Sequence, residues 1–139
     1  MSIQQTDVLY TAVATAENGR DGRVATDDGT LDVVVNPPKE MGGSGTGTNP
    51  EQLFAAGYSA GFQGALAVVA RQEKADITGS TVTAKVGIGK NADGFGLIVE
   101  ISANIPNTDP TTARALLAKA HQVCPYSKAT TGNITVTLT

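Results

Sequence analysis

The sequence predicts an α+β fold, antiparallel β-sheet with two main helices, in the order β-β-β-α-β-β-α-β. Three observations predict it. Stretches of alternating apolar and polar residues cluster before residue 36 and again between residues 80 and 105. Both clusters contain hairpin signals, Asn18-Gly19 and Asp28-Gly29 in the first and Asn91-Ala92-Asp93-Gly94 in the second. Two segments of helical spacing follow the two clusters of strands rather than alternating with single strands. A doubly wound parallel sheet would need that strict alternation.

Residues 8–15 alternate and read as the first strand, and residues 17–22 form a turn. Residues 23–26 and the β-branched run 31–35 make the next two strands, which Pro37 and Pro38 end. Residues 41–48 are a glycine-rich loop. A long helix then begins at Asn49, a good N-cap, with Pro50 suited to the first helical position and Gln52 at the capping-box position. It runs to about Lys74, and its apolar or small middle predicts burial on several sides. Residues 52–70 carry no charge, but Tyr58, Ser59, Gln63 and three glycines favour a core helix over a membrane span. Residues 80–89 and 95–105 pair as a hairpin. Thr108 or Asp109 caps the second helix, whose apolar stripe is Ala113, Leu116, Leu117, Ala120 and Cys124. Pro125 ends it, because the residue before a proline resists the helical region. Residues 134–138 are the closing strand.

Length and composition bound the function classes. At 139 residues and 40% hydrophobic content the chain reads as a single domain, 1–139, with a real core. Cys124 is the only cysteine, so neither a disulfide scaffold nor a cysteine zinc site is expected. The net charge is −3 and the ten Lys and Arg are scattered, which argues against nucleic-acid binding. Residues 1–10 carry no basic region followed by an apolar run, so a cytoplasmic protein is expected.

Several residues could carry chemistry. The run Gly42-Gly43-Ser44-Gly45-Thr46-Gly47 outlines a phosphate cradle but lacks the lysine, and Glu51 places negative charge in the following helical turn. It reads as a flexible connector. His121 has no acidic residue or second histidine at ligand spacing and reads as a packed or capped histidine. By themselves, Glu51 is an acid well placed in a first helical turn and Arg20 a solvated turn residue. Cys124 has two readings, a buried small hydrophobe or a reactive thiol. Its place near a helix C-terminus disfavours a thiolate, so it suits a thiol awaiting an electrophile better than an attacking nucleophile.

Three separated motifs resemble those of the Ohr branch of the OsmC/Ohr family. They are Gly19-Arg20-Asp21-Gly22, the run Thr48-Asn49-Pro50-Glu51-Gln52-Leu53-Phe54-Ala55-Ala56-Gly57-Tyr58, and His121-Gln122-Val123-Cys124-Pro125-Tyr126-Ser127. Val86-Gly87-Ile88-Gly89, Gly94-Phe95-Gly96 and Gly132-Asn133-Ile134-Thr135-Val136 add to the likeness in family order. The resemblance implies an OsmC/Ohr-like intertwined homodimer that reduces organic hydroperoxides. A cysteine of the long helix attacks the distal peroxide oxygen and becomes a sulfenic acid. A resolving cysteine, matched by Cys124, condenses with it, and dithiols of the lipoamide type, carried on lipoylated protein, reduce the disulfide. Arg20 and Glu51 match the family arginine and glutamate, the guanidinium supporting the thiolate and the carboxylate holding the guanidinium. No bound cofactor and no metal are implied.

The sequence departs from that pattern at one position. The run reads Tyr58-Ser59-Ala60-Gly61-Phe62, with Gly61 where the family carries its attacking cysteine. Either this is an altered form of an active peroxidase or a natural variant without the chemistry, and the intact surroundings favour the first. Glycine spacing at Gly57, Gly61 and Gly64 could alternatively seat a crossing helix. Ten residues separate Glu51 from position 61, roughly 15 Å along a helix. A glutamate cannot span that distance, so either Arg20 bridges the gap or Arg20 and Glu51 come from a partner chain. A rival expectation is a catalytically silent protein holding an apolar ligand near Arg20, and a weaker one is a one-cysteine peroxidase using Cys124.

Overall fold

A computed structural model describes residues 3–139 and bears out the α+β expectation. Met1 and Ser2, the start of the segment read for a leader, lie outside the described residues. Contacts gather in two units, Met1–Leu53 and Phe54–Thr139.

The N-terminal unit is an antiparallel sheet of β1 (Ala14–Glu17), β2 (Gly22–Thr26) and β3 (Asp32–Val35) in sequential order. β1 starts later than the alternation predicts, because pairing begins only at Ala14 opposite Thr26. Val8, Leu9 and Tyr10 are exposed and belong to no strand, so an alternating pattern without a neighbouring strand does not suffice for one. A single 3-10 turn, Lys39–Met41, precedes the glycine loop.

That loop is pinned, which corrects the reading of it as a flexible connector. Asn36 N–H donates to the Thr48 carbonyl at 2.9 Å, and Thr48 N–H donates to the Val34 carbonyl at 3.0 Å. The Thr46 hydroxyl donates to Asn36 Oδ1 at 3.0 Å. A Cβ on Gly47 would stand 2.6 Å from Asn36 Oδ1, so this closure needs a residue without a side chain.

Helix α1 (Pro50–Glu73) begins in the N-terminal unit and continues through the second. Asn49 Oδ1 accepts the Gln52 N–H at 2.8 Å, the expected cap. The capping box is not reciprocal, since Gln52 Oε1 accepts the Thr48 hydroxyl instead. The helix closes with Lys74 in the left-handed region (φ 55°), and Ala75 N–H reaches back to the Ala70 carbonyl at 2.9 Å. Burial on several sides is not what the structure shows. Tyr58, Phe62, Ala65, Leu66, Val69 and Ala70 are buried along one face, while Gly57, Ala60, Gly64 and Val68 are exposed. By length and composition α1 could cross a membrane, but its apolar face is built into the core.

In the C-terminal unit β4 (Thr81–Asn91) and β5 (Gly94–Asn104) form one long hairpin in full register. α2 (Pro110–Val123) follows, capped by Asp109, whose side chain accepts the Thr112 N–H. The sequence reading ends the helical region at Pro125, but a short α3 (Pro125–Thr130) starts there instead. Proline restricts the residue before it and is itself well suited to a first helical turn, so one residue both stops α2 and starts α3. β6 (Val136–Leu138) then pairs parallel with β5, so the second sheet is mixed rather than wholly antiparallel. The helical crossover from β5 to β6 returns the chain in the same direction, which dictates the parallel pairing. Tyr58, Phe62, Leu66 and Val69 of α1 pack with Val99, Ile101, Leu116, Leu117, Ala120 and Cys124 to form the core.

Candidate functional site

In the N-terminal unit the turn between β1 and β2 presents Arg20. Asn18 and Gly19 both take left-handed backbone (φ 62° and 59°), which reverses the chain sharply. Asn18 Nδ2 donates to the Asp21 carbonyl at 2.8 Å, and Asn36 Nδ2 donates to Asp21 Oδ1 at 2.8 Å, tying the turn to the residue after β3. Arg20 then meets Glu51 in the first turn of α1, within one chain, through Nη1 to Oε2 at 3.0 Å and Nη2 to Oε1 at 2.9 Å. This two-pronged geometry matches a planar guanidinium to a planar carboxylate. The Glu51 side chain is 11% exposed and that of Arg20 46%. The Arg20 hydrogen bond holds the Glu51 carboxyl below its ordinary range, and Glu51 in turn raises the guanidinium further above neutrality. Both groups stay charged, and the carboxylate fixes the cation's direction.

In the C-terminal unit Cys124 is fully buried at the corner between α2 and α3. Its N–H donates to the Ala120 carbonyl at 2.8 Å, closing α2, and its carbonyl accepts the Lys128 N–H at 3.0 Å, opening α3. Cys124 thus stands at the end of one helix and the start of another, of which only the first was legible in the sequence. Cys124 joins the core cluster of Tyr58 and Phe62, the residues that bracket Gly61 on α1. Gly61 itself lies against Tyr126. A Cβ at position 61 would fall inside the van der Waals envelope of two Tyr126 ring carbons, Cδ2 and Cε2.

A buried polar network lies behind this corner. His121 Nδ1 and Ser127 Oγ are 2.7 Å apart, Ser127 Oγ and the Tyr58 hydroxyl 2.9 Å, and the Tyr58 hydroxyl and Thr130 Oγ1 3.1 Å. The Thr130 hydroxyl also reaches the Tyr126 carbonyl at 3.1 Å. One assignment of hydrogens satisfies every member: His121 Nδ1–H donates to Ser127, Ser127 to Tyr58, Tyr58 to Thr130, and Thr130 to the Tyr126 carbonyl. Burial lowers the His121 pKa, which keeps the ring neutral. His121 is thus a packed, hydrogen-bonded histidine, as the sequence predicts.

The structure therefore joins Arg20 to Glu51 in one unit, and it gathers Gly61, Tyr126 and Cys124 around one core in the other. Sequence reasoning missed the roles of Tyr58, Ser127, Thr130 and the Tyr126 ring. Its usable signal was polar residues inside apolar helical stretches, Tyr58 in α1 and Ser127 directly after Tyr126, which must find partners when buried. No cluster of metal-ligating side chains occurs among the described residues.

Residues 43–139 match the OsmC-like protein family. The chain is 53% identical over 134 residues to the organic hydroperoxide resistance protein of Xanthomonas axonopodis pv. citri (strain 306), covering 95% of this chain and 94% of that one. An organic hydroperoxide resistance protein of Vibrio cholerae, solved with captopril in one of its active sites, superposes with a TM-score of 0.90 at 49% identity, covering 97% of this chain and 94% of that one. The crystal structure of OhrB from Bacillus subtilis superposes with a TM-score of 0.86 at 44% identity, covering 94% and 98%. With both sequence and fold matched over nearly its whole length, this chain belongs to the OsmC/Ohr family, among the organic hydroperoxide resistance proteins.

Proposed function

We propose that this chain is a thiol-dependent peroxidase scaffold for organic hydroperoxides of the fatty-acid or aryl type, acting in oxidative-stress defence, and that the form carrying Gly61 is catalytically silent. The observation that carries the reading is the Arg20–Glu51 fork, present in a chain whose relatives are named for organic hydroperoxide resistance. A fixed cation of this kind is what a mid-helix thiol needs, because neither helix end lowers its pKa.

In the proposed cycle a thiolate at position 61 attacks the distal oxygen of the hydroperoxide. The O–O bond breaks, the alkoxide leaves and takes a proton as an alcohol, and the sulfur becomes a sulfenic acid. The Cys124 thiol attacks that sulfur, forming a disulfide and releasing water. A dithiol of the lipoamide type, on a lipoylated protein partner, then reduces the disulfide by exchange. Gly61 supplies no sulfur, so the cycle lacks its first step and Cys124 lacks a partner.

We further propose that the working form is a cytoplasmic homodimer. Leu9, Tyr10 and Val34 are exposed in the N-terminal unit, and Phe54 and Val68 stand on the uncovered face of α1. Apolar surface of that extent favours cover by a second copy.

The test is to install Gly61→Cys and assay lipoamide-dependent reduction of cumene or fatty-acid hydroperoxides. Turnover is expected to rise by roughly a thousandfold or more over the Gly61 chain, the scale of restoring a missing nucleophile. Dithiol-dependent turnover already present in the Gly61 chain would sink the two-cysteine account. A cysteine variant that stays inert would favour the second reading, a silent relative binding an apolar ligand. That reading draws on the Tyr126 ring seated where a side chain at 61 would stand.

A further inference from the structure

Three glycines punctuate α1, and they differ in what surrounds them. A Cβ added to Gly57 or Gly64 would meet nothing within 4 Å. A Cβ added to Gly61 would overlap Cδ2 and Cε2 of Tyr126, with Cζ 3.6 Å away. Only at position 61 is the space of the absent side chain already taken.

What takes it is a side chain on a fixed backbone. The Tyr126 carbonyl accepts the Thr130 hydroxyl at 3.1 Å. Ser127, the next residue, is fully buried and bonded to both Tyr58 and His121. Tyr58 lies one turn before Gly61 on α1, so the network locks α3 to the stretch of helix that carries position 61. Tyr126 is 47% exposed, so rotation about its side-chain torsions can carry the ring toward solvent without disturbing the core.

We propose that Tyr126 gates position 61: its ring fills the volume of a side chain there and must swing outward before a thiol or an apolar ligand can occupy that volume. The proposal rests on reading position 61 as the reacting position and deepens it by naming the residue that governs access. It also bears on substrate class. The Tyr126 ring stands beside that of Tyr58, centroids 6.2 Å apart and tilted by 39°. An occupant that displaces it must replace an aromatic contact, which an alkyl or aryl hydroperoxide can do and hydrogen peroxide cannot.

The experiment uses the full chain with Gly61→Cys in three backgrounds: Tyr126 retained, Tyr126→Phe and Tyr126→Ala. Each protein is reduced beforehand, labelled anaerobically with monobromobimane, and mapped by peptide so that Cys124 is scored separately. In the Tyr126 background the new side chain pushes the ring off its volume but leaves it beside the thiol, so Tyr126→Ala should speed labelling at position 61 by roughly tenfold or more, and Tyr126→Phe should leave the rate unchanged. Equal rates in all three backgrounds overturn the proposal.

A second measurement needs neither a thiol nor the Tyr126→Ala variant. With 3-fluorotyrosine incorporated, the residue-126 resonance is assigned by its loss in Tyr126→Phe. Gly61→Ala should move that resonance toward the solvent-exposed position, and an unmoved resonance overturns the gate. Neither readout depends on turnover, so a failed gate and a failed peroxidase reading give different results.

Discussion

Arg20 and Glu51 meet at the rim of an exposed three-stranded sheet, held by a turn and a pinned loop. Cys124, Tyr58 and Ser127 meet inside a packed helical corner. Among the described residues of the first unit only Val35 and Asn49 are buried, whereas the second contains the whole core cluster. The charged pair is set by hydrogen bonds between loops, and the corner around the thiol by packing. Substitutions in the first unit should therefore cost little stability, and substitutions in the second should cost much.

The sharpest test of that contrast is Phe62→Ala. Phe62 is fully buried beside Gly61, and its loss should cost about 3–5 kcal/mol in denaturant unfolding. A cost below about 1 kcal/mol would show that the helical corner is not the stabilising half. Tyr58→Phe comes next. It removes one hydroxyl and leaves Ser127 and Thr130 short of a partner, for an expected loss of about 1–3 kcal/mol. An unchanged midpoint would mean that the network contributes nothing to holding α3.

Gly61→Ala sets two effects against each other. Alanine in a helix interior gains about 1 kcal/mol over glycine, but its methyl displaces the Tyr126 ring. The half-exposed ring can move at small cost, so a net stabilisation of up to about 1 kcal/mol is expected in the same unfolding assay. A clear loss would mean that the ring is locked in place.

The smallest effect is expected at the charged pair. Glu51→Gln should cost no more than about 1 kcal/mol, because solvent screens the half-exposed Arg20. Its signature should be pH dependence. The Glu51 carboxyl titrates below its ordinary value of 4.5, so in that range the unfolded chain binds more protons and stability rises with pH. The pair's contribution is full above about 4.5 and fades as acid reaches the folded-state pKa, and Glu51→Gln should remove that component. His121 obeys the same sign at higher pH. Burial lowers its pKa below 6.5, so its contribution is present above that value and fades as pH falls further, and His121→Gln should flatten that window. Stability curves for the two variants that superpose on the parent's would contradict both assignments.

Much of this was legible in the residues. The α1 and α2 starts follow from Asn49, Pro50, Asp109 and Pro110, and the β4–β5 hairpin from its alternation and turn. Each of these signals lies among neighbours in the chain, where capping, turn geometry and side-chain period act locally. The family motifs likewise pointed to Arg20, Glu51 and Cys124 before any geometry was known. Tertiary structure alone decided the rest. The alternation at residues 8–15 became a strand only from Ala14, where a pairing partner exists. β6 is parallel because a helical crossover brings it back, and α1 is bare on one face because the core covers only the other. Arg20 and Glu51 are 31 residues apart, and Tyr58 and Ser127 are 69 apart. No local preference specifies such pairs. Arg20 meets Glu51 through a turn that Asn18 and Asn36 hold by hydrogen bonds, whereas Tyr58 meets Ser127 because core packing brings α1 against the helical corner, where each of these buried polar groups finds a partner, and the same packing lays the Tyr126 ring over a glycine.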